Sequence, residues 1–164
     1  MIQQKITPFL WFDKQAEDAA KFYTSIFKNP SIGNITRYGK EGYEFHHMPE
    51  GTAMTVPFEL EGIQFTALNG GPIFKFNESV SFVIHCETKE EVDYYWDNLT
   101  ADGGVESNCG WLKDKFGLSW QVVPDAMIKM LSDKDAAKAQ RTMHAMMQMK
   151  KLDLPTLEKA YNGE

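Results

Sequence analysis

The chain has 164 residues, 43% of them hydrophobic and 24% charged, with 17 Lys and Arg against 23 Asp and Glu for a net charge of −6. That length and balance suit a globular domain with a sizeable core and exclude a disordered segment. No basic run points to nucleic acid, and no apolar stretch approaches the ~18–20 residues of a membrane span.

Two scattered cysteines, Cys86 and Cys109, lack CxxC spacing and read as reduced thiols rather than a disulfide framework. Met1–Lys5 carries no signal-peptide pattern, so the expected location is the cytoplasm.

Ile6–Phe12 is short, aromatic and branched and reads as a strand, with Pro8 marking an edge or a strand end. Asp13 is placed to cap a helix from Lys14 to Phe27, on which Ala16, Ala19, Ala20, Tyr23 and Phe27 recur at helical spacing. Asn29-Pro30 stops it. Ser31–Tyr38 predicts a second strand, Gly39–Gly51 a polar loop and Thr52–Leu60 a third strand. A turn at Glu61-Gly62 then feeds an antiparallel strand, Ile63–Leu68, before the loop Asn69-Gly70-Gly71-Pro72.

The pattern then starts again. Val80–Cys86 reads as a strand, and Thr88-Lys89-Glu90-Glu91 is a capping box for a helix reaching Leu99, with Val92, Tyr95, Trp96 and Leu99 on one face. Gly103-Gly104 ends it, short strands fit Val105–Lys113, and Phe116-Gly117 turns into Ser119–Val123. After Pro124 the composition becomes helical: Asp125–Leu131, a longer helix capped by Ser132-Asp133 and running to Lys150, and a last helix marked by Leu154, Leu157 and Tyr161. Pro155 suits its first turn and Gly163 its end. Met127, Met130, Met143, Met146, Met147 and Met149 form a stripe expected to pack this tail on the sheet or on a second subunit.

Residues 1–72 and 78–124 therefore each spell strand, helix, then several strands. Phe22-Tyr23 corresponds to Tyr95-Trp96, and Leu60–Thr66 aligns with Lys115–Gln121 through the turn glycines Gly62 and Gly117. The fold class expected is α+β: two βαβββ modules within 1–124, forming a curved, partly open mixed-sheet barrel, with a C-terminal helical extension over 125–164.

Two such modules resemble the glyoxalase/bleomycin-resistance/extradiol-dioxygenase, or vicinal-oxygen-chelate, superfamily. Within it, Pro8–Phe12, Phe65–Pro72, the run Cys109–Gln121 and the tail segment Met149–Leu154 are similar to the PhnB-like branch, whose members often carry the name 3-demethylubiquinone-9 3-methyltransferase. The resemblance implies that paired modules enclose a site and that the protein is a homodimer. In metal-using relatives, four His/Glu-type side chains hold a divalent ion, one from the first and one from the last strand of each module. Those positions fall here on Thr7, on Ser79–Ser81, on Thr66 and on Gln121. Hydroxyls and one amide supply neither negative charge nor imidazole, so no metal and no other cofactor is expected.

Strand alternation then lists the side chains facing the cavity: Thr7, Phe9 and Trp11 on the first strand, Gln64, Thr66 and Leu68 on the fourth, Ser119 and Gln121 on the last. Asn69 stands at the glycine pair, and His85 faces the cavity or its rim. Adjacent His46 and His47 do not chelate as a pair on a strand, and His144 is packing or surface. Aromatic walls with a few neutral hydrogen-bonding groups fit a small organic ligand. The alternatives are a glyoxalase- or dioxygenase-like metalloenzyme with a rearranged site using Gln121 and a histidine, and a methyltransferase. The last lacks support in the residues: Gly70-Gly71 leads to Pro72 rather than into a helix, and no GxGxxG is present. Nucleic acid and membrane are not expected partners.

Overall fold

The computed structural model describes residues 4–164, which form two compact units, one running as far as Lys75 and the other spanning Phe76–Glu164. In the first unit the elements are β1 (Phe9–Phe12), α1 (Ala16–Ile26), β2 (Ser31–Ile32), β3 (Thr36–Arg37), α2 (Tyr43–His46), β4 (Ala53–Leu60) and β5 (Ile63–Asn69). Its sheet runs β1-β5-β4-β2, with β3 also on β4; β1 and β5 are parallel and the other pairs antiparallel.

The second unit holds β6 (Ser81–Cys86), α3 (Lys89–Thr100), β7 (Val105–Glu106), β8 (Trp111–Lys113), β9 (Ser119–Pro124), α4 (Asp125–Leu131), α5 (Ala136–Met147) and α6 (Leu154–Asn162). Its sheet order is β6-β9-β8-β7, again with the first strand parallel to the last. Both units place their first strand beside their last, so the duplication extends to topology. Each sheet is mixed and open.

In unit one, α1 covers a single face of the sheet. Ala16, Ala19, Ala20 and Tyr23 are fully buried against the alternate strand residues Leu10, Phe12, Val56, Phe58, Phe65 and Ala67. The Tyr23 and Phe58 rings stack at 5.8 Å, and Phe58 stacks on Phe65 at 5.3 Å. Three small residues on α1 let helix and sheet approach closely, and the aromatics fill what remains. Trp96 takes Tyr23's role in unit two: it is 1% exposed, and its indole N–H donates to Glu106 Oε1 at 2.9 Å.

Several local expectations need correction. The second strand is not continuous: Ser31–Tyr38 resolves into two two-residue strands, separately registered on β4 with a shift between Thr36 and Arg37. The polar loop contains the single-turn helix α2, entered at Gly42 and left at His47, both left-handed. Asp13 does not cap α1; the N-cap position is Gln15, without a side-chain cap bond. Asp135, not Ser132-Asp133, caps α5 by accepting from Ala137 N and Lys138 N, and the helix stops at Met147. The Thr88 cap, α4 and α6 form as expected, with Glu91 N donating to Thr88 Oγ1 and Gly163 in the left-handed region past α6.

The tail belongs to unit two. Val123, Met127, Leu152 and Leu157 form a buried cluster, and Met130, Met146 and Met149 pack against it. Met143 and Met147 remain exposed. Backbone bonds sew the tail down: Cys109 N donates to Met149 O and Gly110 N to Lys150 O, both at 2.8 Å. Lys151 bridges Asp93 and Asp97 on α3, and the Asp93 carboxyl is held below its usual range by hydrogen bonds from Lys89 and then Lys151.

Leu152→Ala should therefore cost about 2–5 kcal/mol in urea unfolding, since it empties a filled site under the tail. Met147→Ala, at an exposed position of the same stripe, should leave the midpoint within error.

Candidate functional site

Alternation in the first sheet sends one set of side chains under α1 and the other to the uncovered face. Register aligns the second set in transverse rows. Phe9 pairs with Thr66, and Thr66 with Pro57. Two residues back along the strands, Gln64 pairs with Glu59 and Glu59 with Ser31, while Thr7 precedes Phe9 by the same interval. These two rows border a cavity of about 280 Å³, together with Gly33, Phe58 and Phe65. Four of the expected ligand-contacting residues, Thr7, Phe9, Gln64 and Thr66, thus meet in one place.

Trp11 and Leu68 form the next row on the same face and do not border that cavity. Trp11 instead fixes the following loop: its indole N–H donates to Gly71 O at 2.8 Å, and its ring meets Phe74 edge-on at 4.9 Å. Gly70 lies against that ring, where a Cβ would come within 2.3 Å of Trp11 Cζ2. Gly70 is thus a packing requirement of Trp11, while Gly71 takes a left-handed φ of 89°.

Asn69 lies on the opposite face, 2% exposed. Its Oδ1 accepts from Ala16 N at 2.8 Å and its Nδ2 donates to Ala53 O at 3.0 Å, while its own carbonyl accepts from the Tyr38 hydroxyl at 2.6 Å. It supplies the cap that α1 does not get from Asp13, and ties helix, hairpin and loop together.

In unit two, Ser81, Val83 and His85 share the face opposite α3 with Ser119 and Gln121, as parallel pairing requires. Gln121 Nε2 donates to Ser81 Oγ at 2.9 Å. Gln121 pairs with Val83, so Ser81 is one pair back, the relation that Thr7 bears to Thr66 in unit one. The equivalent positions are therefore Thr7 and Thr66 in one unit, Ser81 and Gln121 in the other. Ser119 is 1% exposed and its hydroxyl has no partner among the described residues. His85 is exposed at the end of β6, its Nδ1 at 2.8 Å from Asp125 Oδ1. At the other end Lys113 pairs with Glu78, whose carboxyl that bond holds below its usual range.

These donors do not fit a divalent ion of the kind that His/Glu sets hold. The Gln121 amide already donates to the Ser81 oxygen, and two threonine hydroxyls add no charge. Among the described residues no group of three or more His, Cys, Asp or Glu is disposed to hold a metal. His46 is occupied by its loop: Met48 N donates to its Nδ1 at 2.9 Å, so the proton sits on Nε2, which donates to Glu41 O at 3.1 Å. His47 follows on the left-handed residue after α2 rather than on a strand, and His144 is exposed.

Neither cysteine forms a disulfide. Burial pushes the Cys86 thiol up to about 12, and the nearby charges of Glu91 and Asp125 add to the shift. It is therefore a packing residue rather than a nucleophile.

Glu59, Ser31 and Pro57 were not among the residues expected at the cavity. The signal was present: a two-residue turn at Glu61-Gly62 forces Leu60 opposite Ile63 and hence Glu59 opposite Gln64.

A family model described as 3-demethylubiquinone-9 3-methyltransferase matches residues 4–123. Among solved structures, a putative 3-demethylubiquinone-9 3-methyltransferase, PhnB protein, from Bacillus cereus is 36% identical, with a TM-score of 0.65 over 74% of this chain and 99% of that one. Protein PA1353 from Pseudomonas aeruginosa shares the fold at 17% identity, with a TM-score of 0.58 over 74% and 98%. So does the fosfomycin resistance protein FosX from Listeria monocytogenes, at 14% identity and a TM-score of 0.53 over 81% and 100%. No curated protein gives a significant match.

Asn69→Leu should lower unfolding stability by about 2–4 kcal/mol, because it leaves Ala16 N and Ala53 O buried without partners. Iodoacetamide at pH 8 should label the partly exposed Cys109 and spare Cys86 until denaturant is added, read by peptide mass spectrometry.

Proposed function

Since the chain belongs to the 3-demethylubiquinone-9 3-methyltransferase-like (PhnB) family of the vicinal-oxygen-chelate superfamily, we propose that it is a small-molecule binding protein that works without the superfamily's metal. One observation carries the reading: the cavity on the uncovered face of the first sheet combines hydroxyls and an amide with an aromatic ring. Such a lining holds a small organic molecule by hydrogen bonds and stacking, and its volume of about 280 Å³ lies just below the ~300–1,000 Å³ usual for ligand pockets. The working form is a cytoplasmic homodimer. No helix among the described residues is long and apolar enough to cross a membrane.

Methyl transfer, the activity in the family's name, ranks lower. Of the glycine pair that follows β5, Gly70 packs on Trp11, and the pair does not open a helix toward a nucleotide-like ligand. A metalloenzyme with a rearranged site ranks lower too, because Gln121 is engaged by Ser81 and both His46 nitrogens are bonded to backbone.

A fragment screen followed by amide NMR should give hits that shift Phe9, Gln64 and Thr66, and Thr66→Phe, which fills the cavity floor, should abolish those shifts. Metal analysis of the same preparation should return only traces of Ni, Zn, Fe and Mn. Stoichiometric metal that disappears in Gln121→Ala would overturn the reading. Light scattering should give about twice 18.7 kDa.

A further inference from the structure

Of the side chains bordering the first-sheet cavity, Glu59 alone carries a charge. Its carboxylate makes no ion pair or hydrogen bond with another described residue. Register sets Ser31 on one side of it and Gln64 on the other, so a carboxylate, a hydroxyl and an amide oxygen stand in a single row. That row offers three acceptors, which is what a primary ammonium with its three donors requires. A ligand carboxylate or phosphate would meet repulsion there, with no cationic side chain on the cavity wall to offset it.

The neighbouring row, about 6.8 Å along the strands, is of different character. Phe9 and Pro57 make it largely apolar, and the Phe9 side chain is 58% exposed. An apolar or aromatic body would cover that ring, and a cation held at the next row is close enough to gain from its face.

Resting on the reading of this cavity as the ligand site, the geometry points to a narrower ligand class: a small primary amine whose apolar body lies one sheet row away from the nitrogen. Glu59 is the specificity-determining residue, and it selects by charge where the rest of the lining selects by shape.

The test uses three probes of matched shape, 2-phenylethylamine, 2-phenylethanol and 3-phenylpropionate, titrated into the wild-type protein and Glu59→Gln and followed by amide NMR. The amine should shift residues of both rows and bind ~10-fold or more tightly than the alcohol, the scale of a charge-assisted hydrogen bond. Raising the salt should shrink that preference. Glu59→Gln should erase it while the alcohol still shifts Phe9 and Thr66, and an amide spectrum dispersed like that of the wild type establishes that the variant is folded. Equal binding of amine and alcohol, tighter binding of the carboxylate, or a preference that survives Glu59→Gln overturns the inference and leaves the cavity reading standing. If none of the probes shifts either row at millimolar concentration, both fall together.

Discussion

The constraint on which this molecule depends is the parallel pairing of the first strand of each unit with its last. A parallel pair needs a crossover, and in both units the crossover carries a helix that buries one face of the sheet. Once α1 and α3 occupy those faces, strand alternation decides the rest. Leu10, Phe12, Phe65 and Ala67 must go under α1, so Thr7, Phe9, Gln64 and Thr66 must not. The polar residues collect on the uncovered face because the apolar ones are committed elsewhere.

That division explains how one architecture accommodates different chemistries. Thr7 stands toward Thr66 as Ser81 stands toward Gln121, because sheet register sets their relation in both units. Their side chains are free to change, since none of them holds the helix to the sheet. The hydrogen bond from Gln121 to Ser81 engages two of these side chains with each other. On the reading proposed, recognition has moved from an ion's coordination sphere to hydrogen-bonding groups and one ring.

Local patterns in the sequence sufficed for the features that local physics controls. The Thr88 cap, the extent of α4, the Gly62 and Gly117 turns and the alternation of faces along β5 follow from spacing. What escaped depends on partners far along the chain. Asp13 looked like the cap of α1, yet the bond comes from Asn69, 53 residues away, and no nearest-neighbour rule reaches that far. The break between β2 and β3 is likewise set by their register on β4 rather than by residues 31–38 themselves. Glu59 was within reach, since the hairpin turn implies its pairing with Gln64.

The backbone bonds from Cys109 and Gly110 to Met149 and Lys150 have an evolutionary side. The family match ends at residue 123, just before the helical tail, so this seam joins the matched framework to the stretch that follows it. Amide and carbonyl groups are indifferent to which side chain they carry, apart from the room Gly110 must leave for Leu152. A segment fastened in this way tolerates change at its exposed positions, so long as Leu152 and Leu157 stay buried beneath it.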